Sequence, residues 1–280
     1  MMKRCGFLLP GLSWAILSCS GGGSDPAAEM ARGHEGDEPV ATEAAMAGPA
    51  AEVETRTVTY ATVNGQGAQG YLATPEGAES PLPGVIVIHE WWGLNDNIRS
   101  MAERLAGEGY RALAVDLYGG VSASTPDDAQ KAMRAAMEKS DELTENLKQA
   151  YAYLSEGGRK VGTIGWCFGG GWSLATALAL PDDIDATVIY YGRLVTEKGE
   201  LEKLRMPILG IFGAEDEGIP VESVRAFESA LQELGKDASV HVYEGADHAF
   251  ANPSGQNYQA EEADDAWQKT IAFFAEHLKS

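Results

Sequence analysis

An apolar strand pattern that leads straight into a glycine-flanked cysteine is the feature that most constrains the fold of this chain. Residues 160–166 have the pattern of a buried strand, a Gly-x-Cys-x-Gly motif centred on Cys167 follows, and residues 172–180 favour a helix. Because glycine adopts backbone angles that other residues avoid, the two flanking glycines allow a sharp turn from strand to helix. The sequence therefore predicts that the Cys167 side chain projects from the carboxyl end of a central strand.

A thiol at such a turn has specific chemistry. The N-terminus of a helix favours the thiolate over the thiol, and its free amide groups can hold a developing oxyanion. The alternative is that Cys167 is a small buried hydrophobic residue beside packing glycines. The other two cysteines, Cys5 and Cys19, lie near the N-terminus, so no disulfide framework is expected in the folded part. A thiol oxidoreductase is disfavoured because no resolving cysteine accompanies Cys167.

The first 18 residues have the pattern of a signal peptide. Lys3 and Arg4 precede an apolar stretch over residues 6–17 that is short for a membrane span. Residues 16–19 resemble the lipobox of bacterial lipoproteins, in which the cysteine becomes the acylated first residue. We expect residues 1–18 to be removed, Cys19 to be lipidated, and the protein to be a periplasmic or outer-membrane lipoprotein of the bacterial cell envelope. Ordinary secretory cleavage is the alternative.

Residues 19–53 are rich in Gly, Ser, Ala, Pro and acidic residues and contain almost no aromatic side chains. Such a segment buries too little apolar surface to fold, so it is predicted to be a disordered tether in which His34 is solvated. Residues 54–280 are predicted to form one domain. The formal net charge of −21 repels nucleic acid and anionic headgroups, so we expect no nucleic-acid partner and membrane contact only through the N-terminal lipid.

From residue 54 onward, apolar strand patterns alternate with helical patterns. Residues 56–62 and 69–74 flank an Asn-Gly turn and predict an antiparallel hairpin, and residues 84–89 are typical of a buried parallel strand. Further strands are predicted over residues 111–116, 186–191, 207–212 and 239–243. Helices are predicted over residues 97–107, 221–234 and 259–278, and several helical segments between residues 129 and 154. The alternation predicts an α/β three-layer sandwich with a mostly parallel central sheet.

A nucleophile on such a turn needs a base and an acid that orients the base. His248 follows a predicted strand and precedes the last helix, which is the expected place of the base. A purely structural histidine is the alternative reading of this position. The remaining histidines of the predicted domain are weaker candidates: His89, His241 and His277.

The orienting acid is expected in a carboxylate-rich loop over residues 213–220. Asp216 is the preferred candidate because it follows the strand that comes second after the cysteine strand. Glu215 and Glu217 are its rivals, and Asp247 is too close in sequence to His248. A solvated acidic turn is the alternative for the whole loop.

The residues after the strand at 84–89 are predicted to complete the site. The amide groups of Trp91 and Phe168 are the expected oxyanion donors. Glu90 is a carboxylate among apolar and aromatic residues, and it either faces solvent or has a functional role. Other aromatic side chains predict an apolar substrate pocket, although core packing explains each of them equally well: Trp92, Tyr118, Tyr191 and Phe250.

Six motifs occur in an order and spacing that resemble the dienelactone hydrolase family of the α/β-hydrolase superfamily, from about residue 56 to the C-terminus. They are His89-Glu-Trp-Trp-Gly, Asp116-Leu-Tyr, Gly165-x-Cys-x-Gly-Gly, Tyr190-Tyr-Gly, Gly213-x-x-Asp with Pro220, and His248-x-Phe. The resemblance implies an α/β-hydrolase whose Cys-His-Asp triad cleaves lactones or activated esters without metal or organic cofactor. It also implies that Glu90 hydrogen-bonds the resting thiol and yields it to the histidine when substrate binds.

The chain departs from the family pattern where the substrate is held. Dienelactone hydrolases active on chlorocatechol breakdown products bind the substrate carboxylate with two arginines, and the corresponding positions here are Gly120 and Asn252. Without these guanidinium groups a carboxylated dienelactone loses its main anchor. We therefore expect a different physiological substrate, with Asn252 among the substrate-binding candidates.

Together these patterns predict a monomeric, exported hydrolase that acts on a small-molecule ester or lactone through a thioester acyl-enzyme. The alternative is an envelope-tethered binding protein that retains the hydrolase fold with little or no turnover, because fold alone does not fix function.

Overall fold

The computed structural model describes residues 34, 36, 37, 39, 42–45, 47–78 and 81–280. The predicted signal peptide and Cys19 lie outside the described residues. Across the described ranges, every helix is too short or too polar to cross a membrane.

The described chain contains eight strands, which form one sheet. They are β1 (Val53–Val63), β2 (Gln66–Pro75), β3 (Gly84–Ile88), β4 (Arg111–Val115), β5 (Val161–Trp166), β6 (Ala186–Tyr190), β7 (Ile208–Gly213) and β8 (Ala238–Tyr243). Their spatial order is β1-β2-β4-β3-β5-β6-β7-β8. β1 and β2 form the predicted antiparallel hairpin, β2 pairs antiparallel with β4, and all other neighbours are parallel.

The described helices are α1 (Asp96–Gly107), α2 (Pro126–Met137), α3 (Ser140–Leu154), α4 (Phe168–Ala179), α5 (Lys198–Leu201), α6 (Val221–Glu233) and α7 (Ala260–Leu278). Two glycines show that helices cover both faces of the sheet. Gly84 of β3 faces Leu154 of α3, whereas Gly162 of β5, one register position further along, faces Phe274 and Leu278 of α7. Because successive strand residues point to opposite faces, α3 and α7 lie on opposite sides. The predicted α/β three-layer sandwich is confirmed.

The element boundaries differ from the prediction at three places. The helical segments predicted over residues 129–154 are α2 and α3, but α2 begins earlier, at Pro126, and α5 was not predicted. α4 begins at Phe168, before three consecutive glycines that have low helix propensity. Tertiary packing overrides that propensity, because a Cβ on Gly169 or Gly170 would collide with the carbonyl groups of Ile88 or Tyr190.

Candidate active site

Cys167 lies at the turn between β5 and α4, where the sequence places it. Its backbone has φ 57° and ψ −117°, a conformation that is unusual for a residue other than glycine. The turn is possible because a Cβ on Gly165 would collide with the carbonyl group of Gly169, so the strand and helix can approach only without one. Cys167 is therefore the N-cap residue of α4, with its thiol at the positive end of that helix.

The loops after β7 and β8 bring a carboxylate to the predicted base. His248 Nδ1 lies 2.7 Å from Asp216 Oδ2, and both side chains are buried. Asp216 Oδ1 also accepts hydrogen bonds from the backbone amides of Gly218 and Ile219, each at 2.8 Å. The two rival glutamates of this loop are exposed. Since the carboxylate receives Nδ1–H, Nε2 is the imidazole atom that can take a proton.

The same imidazole faces the thiol. His248 Nε2 and Cys167 Sγ lie within 4.8 Å of each other. Burial alone would raise the pKa of Cys167, but the positive charges of His34 and His248 and their hydrogen bonds to the sulfur lower it to about 6. Burial would lower the pKa of His248, yet Asp216 and the thiolate hold it well above its usual value. These shifts favour a thiolate-imidazolium pair, the reactive form of a cysteine nucleophile.

A second imidazole reaches the same sulfur from the N-terminal segment. His34 Nε2 lies 3.4 Å from Cys167 Sγ, and His34 Nδ1 lies 2.7 Å from Asp37 Oδ2. The His34 ring stacks on the Trp91 ring at a centroid distance of 4.8 Å, and none of its surface is exposed. The prediction that His34 is solvated is wrong, because Trp91 and Asp37 give it both apolar and polar partners. Burial would lower its pKa, but the Cys167 thiolate and Asp37 raise it to about 9.

The loop after His248 holds this segment in place. Asp37 Oδ1 accepts a 2.8 Å hydrogen bond from the amide of Gln256, whose side chain donates to the Gly36 carbonyl at 2.7 Å. Further along, the Thr42 hydroxyl donates to the Pro253 carbonyl at 2.8 Å. Cys167 is only 1% exposed, and His34 is one of the residues that contact its sulfur.

Glu90 is buried next to the thiol and is held by Asn252. The Asn252 side-chain amide donates a 3.0 Å hydrogen bond to Glu90 Oε2, while Oε1 has no partner in the described part of the chain. Asn252 Oδ1 accepts from the side chain of Asn97 at 3.3 Å and from the amide of Ser254 at 3.0 Å. Burial, reinforced by the Cys167 thiolate, raises the pKa of Glu90 to about 8. Asn252 therefore positions Glu90, and the solvent-facing alternative for Glu90 is wrong.

The predicted oxyanion donors flank the turn. Phe168 is the first residue of α4, so its amide has no acceptor within the helix. Trp91 lies in the loop that follows β3, directly after Glu90. Neither amide donates to another backbone carbonyl in the described ranges. Both are thus available to an oxygen that develops negative charge beside Sγ.

Unsatisfied polar atoms concentrate around this site. Apart from His248 Nε2, which faces the Cys167 sulfur, five buried side-chain atoms of the described residues lack a hydrogen-bond partner, and four of them belong to predicted site residues: Glu90 Oε1, Trp91 Nε1, Tyr118 Oη and Tyr191 Oη. The rings of Tyr191 and His248 meet edge to face at 5.3 Å, and Tyr191 also contacts Phe250 at 5.7 Å. Since native proteins rarely leave buried polar groups unpaired, these atoms mark a place where a bound group supplies partners.

The remaining candidates have different roles. Trp92 is buried against Trp91, with ring centroids 4.9 Å apart. Gly120 is exposed, and its amide donates to the Asp116 carboxylate. His89 uses both ring nitrogens structurally, at 2.6 Å from the Glu90 carbonyl oxygen and 3.2 Å from the Leu117 amide nitrogen.

Sequence reasoning missed His34 and Asp37. The only available signal was a His-x-x-Asp spacing within an otherwise featureless acidic segment. Composition describes the segment as a whole, so it does not identify two individual residues that contact the site.

Comparison with known proteins agrees with this geometry. The sequence pattern of the Dienelactone hydrolase family matches residues 68–278. Protein usf of Aquifex pyrophilus is 39% identical over 224 residues, which cover 77% of this chain and 96% of that protein. A Saccharolobus solfataricus protein, provisionally named a carboxymethylenebutenolidase, is 35% identical over 243 residues, covering 73% of this chain and 92% of its own.

A solved structure has the same architecture. The crystal structure of a Klebsiella pneumoniae protein, provisionally named a dienelactone hydrolase, superposes with a TM-score of 0.72 at 29% identity and covers 81% of this chain and all of its own. The fold, the cysteine turn and the match over most of the chain lead to one conclusion: this chain belongs to the dienelactone hydrolase family of α/β-hydrolases.

Proposed function

We propose that this protein hydrolyses carboxylic esters or lactones through a Cys167-His248-Asp216 triad and a thioester acyl-enzyme. One observation carries the proposal: the buried His248 ring contacts Asp216 Oδ2 on one side and faces Cys167 Sγ, at the N-terminus of α4, on the other. An acid-oriented imidazole next to a thiol on a strained turn is the arrangement that acyl transfer requires.

The first half of the reaction forms the acyl-enzyme. His248 Nε2 takes the thiol proton, and the thiolate attacks the carbonyl carbon of the ester or lactone. The carbonyl oxygen gains negative charge and accepts hydrogen bonds from the amides of Trp91 and Phe168. When the tetrahedral intermediate collapses, the carbon-oxygen bond breaks and the imidazolium gives its proton to the departing alkoxide.

The second half releases the acid. His248 Nε2 removes a proton from water, the hydroxide attacks the thioester carbonyl, and the same two amides hold the oxyanion. The carbon-sulfur bond then breaks and Cys167 regains its proton. Throughout, Asp216 keeps the imidazole in the tautomer that has a free Nε2 and stabilises its charged form.

Neutral, apolar substrates fit this site best. Glu90 is protonated at neutral pH because its pKa is about 8, and Asn252 is already hydrogen-bonded to it. Gly120 has no side chain to offer, so neither family arginine position supplies a cation to a substrate carboxylate. Aromatic walls and several unpaired donors suit a short-chain or aromatic ester or lactone.

The second candidate is a binding protein without useful turnover, and the burial of Cys167 together with the His34 contact on its sulfur favours it. A short-chain p-nitrophenyl ester separates the two functions. Turnover that disappears in Cys167→Ala supports the hydrolase, and so does an acyl adduct on Cys167 in a denatured mass spectrum. Equal, background-level hydrolysis by the native protein and the variant would contradict the hydrolase proposal.

The N-terminal processing is a separate proposal. A positively charged start, an apolar stretch and the Ile-Leu-Ser-Cys sequence support lipidation at Cys19 and an envelope location, with residues 54–280 as a monomeric catalytic unit. Of the proposed tether over residues 19–53, His34 and Asp37 contact that unit, so only the residues before His34 can act as a free tether. The mass of the mature N-terminal peptide tests it. A peptide that begins at another residue, or at Cys19 without an acyl increment, rejects lipidation and leaves the hydrolase proposal intact.

A further inference from the structure

Three buried side chains from distant parts of the chain direct potential metal-ligand atoms to one point. They are Cys167 Sγ on the turn after β5, His248 Nε2 on the loop after β8, and His34 Nε2 on the N-terminal segment. All three atoms lie within 4.8 Å of one another, and the residues are 1%, 4% and 0% exposed. Hydrolysis needs the first two, but it gives no reason for the third.

Each imidazole in this cluster has an aspartate as its outer partner. Asp37 Oδ2 lies 2.7 Å from His34 Nδ1, and Asp216 Oδ2 lies 2.7 Å from His248 Nδ1. A carboxylate on Nδ1 fixes the tautomer and leaves the Nε2 lone pair free, which is how metal-binding histidines are usually oriented. The chain therefore contains two matched Asp-His pairs that face one sulfur.

Hydrogen bonding alone does not complete this arrangement. With both imidazoles neutral, two Nε2 acceptors face a thiol that has one hydrogen to donate. His248 also hydrogen-bonds the sulfur, so the two imidazoles compete for the single thiol hydrogen. A divalent cation at the centre would satisfy both nitrogens and the sulfur, and it would offset two of the three negative charges of the thiolate and the two aspartates.

The distance between the His34 and Cys167 ligand atoms fits a small divalent ion, and His248 lies within 4.8 Å of both. Zinc-sulfur and zinc-nitrogen bonds of about 2.3 and 2.0–2.1 Å in tetrahedral geometry place sulfur and nitrogen about 3.5 Å apart. The His34 Nε2 to Cys167 Sγ distance is 3.4 Å. Thiolate and imidazole ligands select zinc over calcium or magnesium, which prefer oxygen.

We infer that Cys167, His34 and His248 form a zinc-binding site, with Asp37 and Asp216 as outer partners and a fourth position open to water. Bound zinc fastens the N-terminal segment over the site. If the proposed hydrolase function is right, it also withholds the nucleophile, since a thiolate bound to zinc cannot attack a carbonyl. Metal binding itself does not depend on hydrolysis.

Cobalt(II) serves as the spectroscopic probe for this site. The chelator-treated chain, with its N-terminal segment intact, is titrated with Co²⁺ and then with Zn²⁺. We expect one Co²⁺ per chain, a near-ultraviolet thiolate-to-cobalt absorption band, visible bands of tetrahedral intensity, and loss of all of them when Zn²⁺ is added. No stoichiometric binding, or octahedral bands without a thiolate contribution, would overturn the inference. Binding of Cu²⁺ but neither Co²⁺ nor Zn²⁺ would overturn the assignment to zinc.

Variants identify the ligands. His34→Ala removes a ligand from outside the sheet scaffold, so the fold is preserved, and it should abolish the tetrahedral spectrum. Asp37→Asn should weaken binding by about 10–100-fold, the usual effect of losing an outer partner. His241→Ala, on β8 and away from the site, is the matched control and should bind Co²⁺ as the native chain does. An unchanged spectrum in His34→Ala would refute the site even if esterase activity is present.

Discussion

His34 Nε2 lies 3.4 Å from Cys167 Sγ, although 133 positions separate the two residues in sequence. The contact brings a residue of the N-terminal segment onto the candidate nucleophile at the turn between β5 and α4. It also leaves almost none of the sulfur accessible, because Cys167 is 1% exposed. The segment and the catalytic site therefore compete for the same space.

We expect His34→Ala to increase ester hydrolysis. Without the imidazole the segment loses its stack on Trp91 and its contact with Cys167, so the open form becomes more populated. If the closed form dominates by tenfold, opening the site raises the apparent affinity for substrate about tenfold. Initial rates with a p-nitrophenyl ester, measured in the presence of a chelator, give kcat/KM.

Glu43→Ala is the matched control for this prediction because Glu43 is an exposed residue of the same segment. Its kcat/KM should equal that of the native chain. A fall in kcat/KM for His34→Ala, with Glu43→Ala unchanged, would mean that His34 assists catalysis and does not cover the site.

Asp216→Asn should leave the fold intact and reduce kcat strongly. The amide keeps the shape of the carboxylate but no longer stabilises the imidazolium or fixes the Nδ1–H tautomer. In Ser-His-Asp hydrolases the corresponding change costs about 10⁴-fold in kcat, and a loss on the order of 10³–10⁴-fold is expected here. Single-turnover acylation, followed by the release of p-nitrophenol, measures the step directly.

Glu215→Gln is the comparison for Asp216→Asn, because Glu215 lies in the same loop and is exposed. It should retain native kcat. Comparable losses in both variants would show that the loop's overall charge matters, and would remove Asp216 from the triad.

The sequence was sufficient to predict most of the scaffold that these tests probe. Strand periodicity, the glycine spacing around Cys167 and the order Cys, Asp, His depend on local patterns, and the structure places Asp216 against His248 as that order requires. The contact between His34 and Cys167 depends on complementarity between distant surfaces, which no local pattern encodes. The hydrogen bond from Asn252 to Glu90 is likewise visible only in three dimensions, and the substrate contact expected of Asn252 stays a prediction.

His89 should make the stability of the protein sensitive to mild acid. Its ring is fully buried, with one nitrogen at the Glu90 carbonyl and the other accepting from the Leu117 amide, and burial lowers its pKa. In the unfolded chain His89 has a pKa of about 6.5. Below that pH the unfolded chain binds a proton on His89 that the folded chain does not bind. The stabilisation is thus complete above that pH and is lost as the pH falls.

Urea unfolding at several pH values between 8 and 5 tests the role of His89. The raised pKa of Glu90 acts in the opposite direction over the same window, so the test is a difference between chains. The free energy of unfolding of the native chain should change less favourably below pH 6.5 than that of His89→Gln, which should be less stable at pH 8. His277→Gln, on the outer end of α7, should keep the native slope. An identical slope in His89→Gln would assign the acid sensitivity to other groups.

Gly169→Ala should destabilise the protein and disturb the nucleophile. A Cβ at this position would collide with the backbone carbonyls of Ile88 and His89, which cannot move without breaking the β3 register. Overpacking of this kind costs about 1–3 kcal/mol.

Gly171→Ala, two residues along the same helix, is the matched control, because its Cβ would meet Arg193 no closer than 3.4 Å. There alanine's higher helix propensity should stabilise by up to about 1 kcal/mol. Thermal and urea unfolding of both variants, with kcat measured alongside, separate the Cβ collision from the change in helix propensity. Equal stability changes in the two variants would mean that the close approach of α4 to β3 does not hold the cysteine turn.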